Sequence, residues 1–114
     1  MDWNSGLGKS PKELAENLKN IYDTKFGGKF FGRYRTSRMN FRRLSGLPNL
    51  PDDYIKEVGM WLRKMELILI DMDRAFLVIP VSITDNYRRV PESVIEKYVA
   101  DNEAGSESQT DSQS

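Results

Sequence analysis

The sequence predicts an α+β fold, and three observations carry that expectation. Apolar residues recur at helical spacing in three successive stretches before residue 66. The period then changes, as two short, β-rich apolar runs at residues 66–70 and 75–81 flank the polar tetrapeptide Asp71-Met72-Asp73-Arg74. Helical spacing returns in the last apolar stretch, residues 91–100. Helices gathered ahead of a hairpin, without regular strand–helix alternation, belong to the α+β class.

Ser10-Pro11-Lys12-Glu13 forms a capping box with proline at the first helical position, a strong helix start. Leu14, Leu18, Ile21 and Tyr22 follow at the spacing of one buried stripe, and Gly27-Gly28 is expected to end the helix. Residues 29–35 (KFFGRYR) are short and aromatic and are expected to form a brief strand. Thr36 or Ser37 caps a second helix, with Phe41 and Leu44 facing inward, Arg38 and Arg42 outward, and Gly46 closing it. The prolines of LPNLP (residues 47–51) forbid a continuous helix there. A third helix over residues 52–65 puts Tyr54, Val58, Trp61, Leu62 and Met65 on one stripe and Lys56, Met60, Arg63 and Lys64 on the other face. Asp52 and Asp53 suit the positive end of its dipole. The runs 66–70 and 75–81 read as a β-hairpin, TDNYRR as a polar connection. Pro91 opens a last helix whose apolar side is Val94, Ile95, Tyr98 and Val99. No internal repeat is visible.

A chain of 114 residues accommodates one domain with a modest core. No apolar run approaches bilayer length and no leader-like segment stands out, so a cytoplasmic setting without a membrane partner is expected. The chain has no Cys and no His, which removes disulfides, thiolate metal sites, thiol nucleophiles and the commonest general base. No spacing of carboxylates, Lys, Tyr or Ser suggests catalysis, and neither an enzyme activity nor a cofactor or metal is expected. After Ala100 the sequence carries four acids, no base and no large apolar residue, the composition of a disordered tail. The expected organisation is a flexible arm at 1–9, a folded domain at 10–100 and an acidic tail at 101–114.

Removing that tail exposes the charge balance. The whole chain has 17 bases and 17 acids, but residues 1–100 hold 17 against 13, a net of +4. The excess is concentrated in KFGGKFFGRYRTSRMNFRRL, residues 25–44, which has seven Lys or Arg, five aromatic rings and no acid. Crowded cations repel one another, so a polyanion touching them gains attraction and counterion release. Arginine also grips phosphate bidentately or reads guanine O6 and N7. The competing expectation is that these side chains pair with the domain's own acids, such as Glu13, Glu16 and Glu57. Phe26, Phe30, Phe31 and Phe41 are expected in the core, because a small domain needs them for burial. Tyr34, between Arg33 and Arg35, is the ring expected to stay exposed.

The order helix, short strand, helix, tight turn, helix, hairpin spans residues 10–81. It is clearest in SRMNFRRLSGLPNLPDDYIKEVGMWLRKMELILIDMDRAFLVI, and it resembles a winged helix-turn-helix domain with an extra C-terminal helix. The stretch is also similar to small bacterial proteins in which a helix of the RRLSG kind precedes an LIDM…FLVI hairpin. The resemblance implies three helices with a small three-stranded sheet, and a transcriptional regulator that binds double-stranded DNA. Its third helix would lie in the major groove, and its hairpin tip, the wing, on backbone or minor groove. By position, Lys56, Met60, Arg63 and Lys64 would face the groove, and Arg38, Arg42 and Arg43 would hold phosphates. Lys29, Arg33 and Arg35 belong to the same nucleic-acid-binding footprint by charge.

Two acids in the wing and Asp52-Asp53 at the start of the third helix suggest a different use. This is a protein partner, with the chain as an adaptor or inhibitor of the mobile-element or phage kind. RNA is a third ligand consistent with the same charges, with Tyr34 and Phe31 as stacking residues. The last helix is expected either to form a homodimer contact for paired half-sites or to fold back on the domain.

Two motifs are decoys. GLGKS at residues 6–10 ends like a phosphate-binding loop, but the motif's first glycine position is Trp3 and no strand can precede it. Ser10 is better explained as a helix cap. Asp71 and Asp73 form a D-x-D pair that lacks the further ligands a Mg²⁺ site requires, and solvated carboxylates are ordinary at a hairpin tip.

Overall fold

The computed structural model describes residues 8–104, and its first helix begins where the caps dictate. In α1 (Pro11–Tyr22) the Ser10 hydroxyl accepts from the Glu13 N–H at 3.1 Å, while the Glu13 carboxylate accepts from the Ser10 N–H at 2.9 Å. Leu14, Ala15 and Leu18 are fully buried. The helix stops well before Gly27: Lys19 pairs with Asp23 at 2.6 Å, and the Thr24 hydroxyl bonds the Asn20 carbonyl at 2.6 Å. The two glycines serve another purpose. Phe26 and Lys29 exchange backbone hydrogen bonds of 2.9 and 3.0 Å across Gly27 (φ +59°) and Gly28 (φ +81°). A two-residue turn with positive φ at both positions is the tightest way to reverse a chain, and glycine adopts it without strain.

The strand expected at residues 29–35 lies further along, as β1 (Tyr34–Ser37). Its place is fixed by long-range pairing rather than by aromatic content. Tyr34 turns inward, its hydroxyl donating to the Leu18 carbonyl at 2.7 Å. Ser37 ends β1 and caps α2 (Arg38–Ser45), accepting from the Asn40 N–H at 3.1 Å, and Gly46 at φ +76° closes the helix. In α2 Phe41 is fully buried, stacked on Phe76 with 4.0 Å between ring centroids.

α3 (Asp52–Lys64) buries Tyr54, Val58 and Leu62 as the spacing predicts, and also Ile55. Trp61 and Met65, assigned to the same stripe, are only partly buried against the core. β2 (Leu67–Asp71) and β3 (Ala75–Pro80) form the hairpin, and β1 adds to it in the antiparallel order β1-β3-β2. Ser37 registers with Ala75 and Tyr34 with Val78, while Asp71 registers with Phe76 and Leu67 with Pro80. The inward side chains Leu67, Phe76 and Val78 meet Leu14, Leu18, Phe41, Tyr54 and Leu62 in one core.

Gly8 and Lys9, within the stretch assigned to an arm, are fastened to the domain. Lys9 donates its backbone N–H to the Ser45 carbonyl at 2.8 Å and its ammonium to the Leu44 carbonyl at 2.6 Å, and its own carbonyl accepts the Tyr54 hydroxyl at 2.8 Å. The rest of that arm, residues 1–7, lies outside the described residues, as does most of the expected tail, residues 105–114.

A 3-10 helix (Val81–Asn86) leads to α4 (Glu92–Ala104), which runs four residues into the segment assigned to the tail. Val94, Ile95, Tyr98 and Val99 are exposed on it, so the apolar side does not fold back onto the domain.

Candidate nucleic-acid interface

The register gives the sheet two unlike ends. One end holds the hairpin turn. There Asp71 accepts the Asp73 N–H at 2.8 Å, holding Asp73 at φ +71°, and the same oxygen accepts the Arg38 guanidinium at 3.1 Å. Arg38 also donates to the Asp73 carbonyl at 3.0 Å, and its guanidinium lies 5.1 Å from the Phe76 ring centre. Asp52, at the start of α3, lines the same groove as Asp71. Arg38 is therefore engaged by one of the domain's own carboxylates, that of Asp71, as the competing expectation has it.

The other end of β1 opens onto residues 25–33. The side chains of Lys29, Arg33 and Arg35 have no carboxylate or hydrogen-bond partner among the described residues, and all three residues are exposed. Lys25 places its ammonium 4.7 Å from the Phe30 ring centre. The aromatic expectations are inverted here. Phe26, Phe30 and Phe31 are exposed, Phe30 at 71% and Phe31 at 65%, whereas Tyr34 is half-buried. Phe41 alone of the four phenylalanines assigned to the core is there. The cause is local: the Gly27-Gly28 turn carries residues 25–31 into solvent, while the inward strand position of Tyr34 meets a carbonyl for its hydroxyl. Burial raises the Tyr34 hydroxyl far above its ordinary range.

On α2, Arg42 donates to the Leu47 carbonyl at 3.0 Å, which steers the chain toward α3, and Arg43 donates to the Asn40 side chain at 3.0 Å. Both acceptors are neutral, so both arginines keep their full charge available to an anion. On α3, Lys56, Met60 and Arg63 are exposed along one stripe beside a groove of about 640 Å³ between α3 and the edge strand β2, lined also by Ile55, Ile68 and Leu69. Lys64 sits 4.4 Å from the Trp61 ring centre and Lys12, which sequence reasoning did not single out, 5.3 Å from the same ring. A cation over an aromatic face retains its charge while gaining a fixed position.

Among the described residues no group of three or more acids, Cys or His is placed to hold a metal ion, and no helix is long and apolar enough to cross a membrane. Ser10 caps α1, as expected of the serine in the GLGKS decoy. Compared with protein-family models, curated proteins and solved structures, the chain matches none.

Proposed function

We propose that this chain is a winged helix-turn-helix domain that binds double-stranded DNA in the cytoplasm, as a transcriptional regulator. The element order supports the fold, with a first strand closing onto the hairpin and the hairpin turn beside the start of α2. The observation that carries the function is the outer stripe of α3: Lys56 and Arg63 flank Met60, exposed and without a carboxylate partner among the described residues. Lys64 extends that stripe, and Arg42 and Arg43 add phosphate contacts from α2. Asp52 and Asp53 repel phosphate, so α3 enters the groove beyond its first turn, from Lys56 onward. Arg38 is left out of the interface. The exposed Val94, Ile95, Tyr98 and Val99 of α4 pair two copies on adjacent half-sites.

An anisotropy titration of a labelled duplex across salt tests this. Five phosphate contacts give a slope of log K against log salt of roughly −4 to −5, and each contact removed flattens it by about 0.9. Lys56→Ala/Arg63→Ala/Lys64→Ala is expected to flatten it by about 3. Absence of binding at low salt, or a slope unchanged in this variant, overturns the proposal. One observation favours a second reading: with Asp71 matched by Arg38 and Asp73 beside Arg74, the turn has no excess of bases where a DNA-contacting wing gains from them, as suits docking on a protein. A partner captured by the full chain at equal stoichiometry after nuclease treatment supports that adaptor role.

A further inference from the structure

We propose that the loop at residues 25–33 is a second binding site, one for single-stranded nucleic acid, with unpaired bases stacked on Phe30 and Phe31 and phosphates held by Lys25, Lys29 and Arg33. This goes beyond duplex recognition by α3. The site lies at the end of the sheet away from the hairpin turn, and its ligand is a different one.

The first ground is that the display of rings is held in place. Neighbouring exposed phenylalanines on a loose loop would collapse onto whatever apolar surface they reach. Here the Gly32 N–H donates to the Tyr22 carbonyl at 3.0 Å, tying the loop's return to the end of α1. Phe26 and Lys29 bridge the turn, and Phe26 meets Tyr34 edge-on with centroids 6.0 Å apart. Tyr34 is in turn anchored to Leu18 at 2.7 Å. The loop is braced from both sides, and Phe30 and Phe31 still face water. Large apolar rings that a braced loop holds in water, rather than folding onto the domain, suit an interaction surface.

The second ground is charge. No acid occurs between Asp23 and Asp52, and Asp23, two residues before Lys25, is paired with Lys19 at 2.6 Å, so no acid near in sequence is left to neutralise the cations around these rings. Lys29 and Arg33 have no partner in space either, among the described residues. Lys25 covers one face of Phe30, leaving the opposite face and the Phe31 ring open. The complementary ligand is therefore flat and apolar in one part, anionic in another, and repeats that pair of features along its length. Single-stranded nucleic acid has these properties, and base–aromatic stacking tolerates any sequence. A duplex does not fit, because its base faces are already stacked. An anionic lipid surface shares the charge but offers no flat face to stack on a ring, and the test separates the two.

The test uses the full chain and a short fluorescent oligothymidylate, which forms no duplex. Phe30→Leu/Phe31→Leu keeps two apolar side chains on an exposed loop but removes the flat faces. Stacking contributes on the order of 10-fold in affinity per base, so this variant is expected to bind on the order of 100-fold more weakly with its salt slope unchanged. Lys29→Gln/Arg33→Gln is expected to flatten the slope by roughly 1.4, at about 0.7 per phosphate for single strands. Circular dichroism confirms that both variants retain the fold. Lys56→Ala/Arg63→Ala/Lys64→Ala is expected to leave oligothymidylate binding within about twofold. Affinity unchanged by the leucine variant, absence of binding at low salt, or binding to phosphatidylserine vesicles but not to the oligonucleotide overturns the proposal. Absence of duplex binding by the unaltered chain, with its oligothymidylate binding intact, removes the α3 interface and leaves this site standing; duplex binding without oligothymidylate binding removes this site alone.

Discussion

The two ends of the sheet contain the same kinds of residue used in opposite ways. At the hairpin turn, Arg38 lies against the Phe76 ring and donates to Asp71, so its charge is matched inside the molecule. At the other end, Lys25 lies against the Phe30 ring, but no carboxylate follows, and the neighbouring cations and rings face solvent. What separates a structural cation from an available one is a carboxylate brought within reach by the chain's return. Composition alone cannot make that distinction, because it counts both ends as basic.

The largest effect that separates the two regions is on stability. Phe41 is fully buried and stacked on Phe76, so Phe41→Ala removes both its transfer free energy and the ring contact. A loss of about 3–5 kcal/mol is expected, a large part of a small domain's total. Phe31→Ala, at a ring that is mostly in water, is expected to stay within about 0.5 kcal/mol. Urea denaturation followed by circular dichroism measures both. A loss at Phe31 that approaches the loss at Phe41 means that the loop packs somewhere in solution, and the contrast fails.

A smaller effect appears at high pH. Tyr54 is buried under Lys9, and that burial, with the Glu13 carboxylate adding to it, pushes its hydroxyl from the ordinary 10.0 up to about 12. The unfolded chain therefore releases this proton first. The stability that Tyr54 confers is complete below pH 10 and is lost as pH rises from 10 toward 12, at about 1.4 kcal/mol per pH unit. Thermal unfolding across that window is expected to be less steep with pH in Tyr54→Phe. An unchanged pH slope in that variant means the hydroxyl is open to water in the folded state.

Much of the fold was legible in the sequence, and the exceptions share a cause. Ser10 and Ser37 announce helix starts because capping is satisfied within three residues. The hairpin is visible because its two runs and its turn are adjacent. β1 was misplaced because its register is set by β3, some forty positions away, and not by the aromatic content of residues 29–35. The candidate interface divides in the same way. The cations of α3 were identified by helical spacing, a local property. The engagement of Arg38 depends on Asp71, 33 residues further on, and no local pattern pairs them. Phe26, Phe30 and Phe31 are expected in the core on hydrophobicity, and the Gly27-Gly28 turn, which is itself a readable signal, decides otherwise.

The smallest expected effect bears most directly on the two kinds of cation. Arg38 and Asp71 keep 35% and 41% of their side chains in solvent, at a separation of 3.1 Å. A pair that exposed contributes about 0–1 kcal/mol, less as salt rises and screens it. Arg38→Gln is therefore expected to lower stability by under about 1 kcal/mol at low salt and by less at high salt. Because its charge is already matched, the same change is expected to leave the salt slope of duplex binding where it was. Arg43→Gln, which removes a cation held, among the described residues, by the neutral Asn40 side chain, is expected to flatten that slope by about 0.9. Equal flattening in the two variants means that a ligand pulls Arg38 away from Asp71, and that the acid at the hairpin turn holds the arginine only until phosphate arrives.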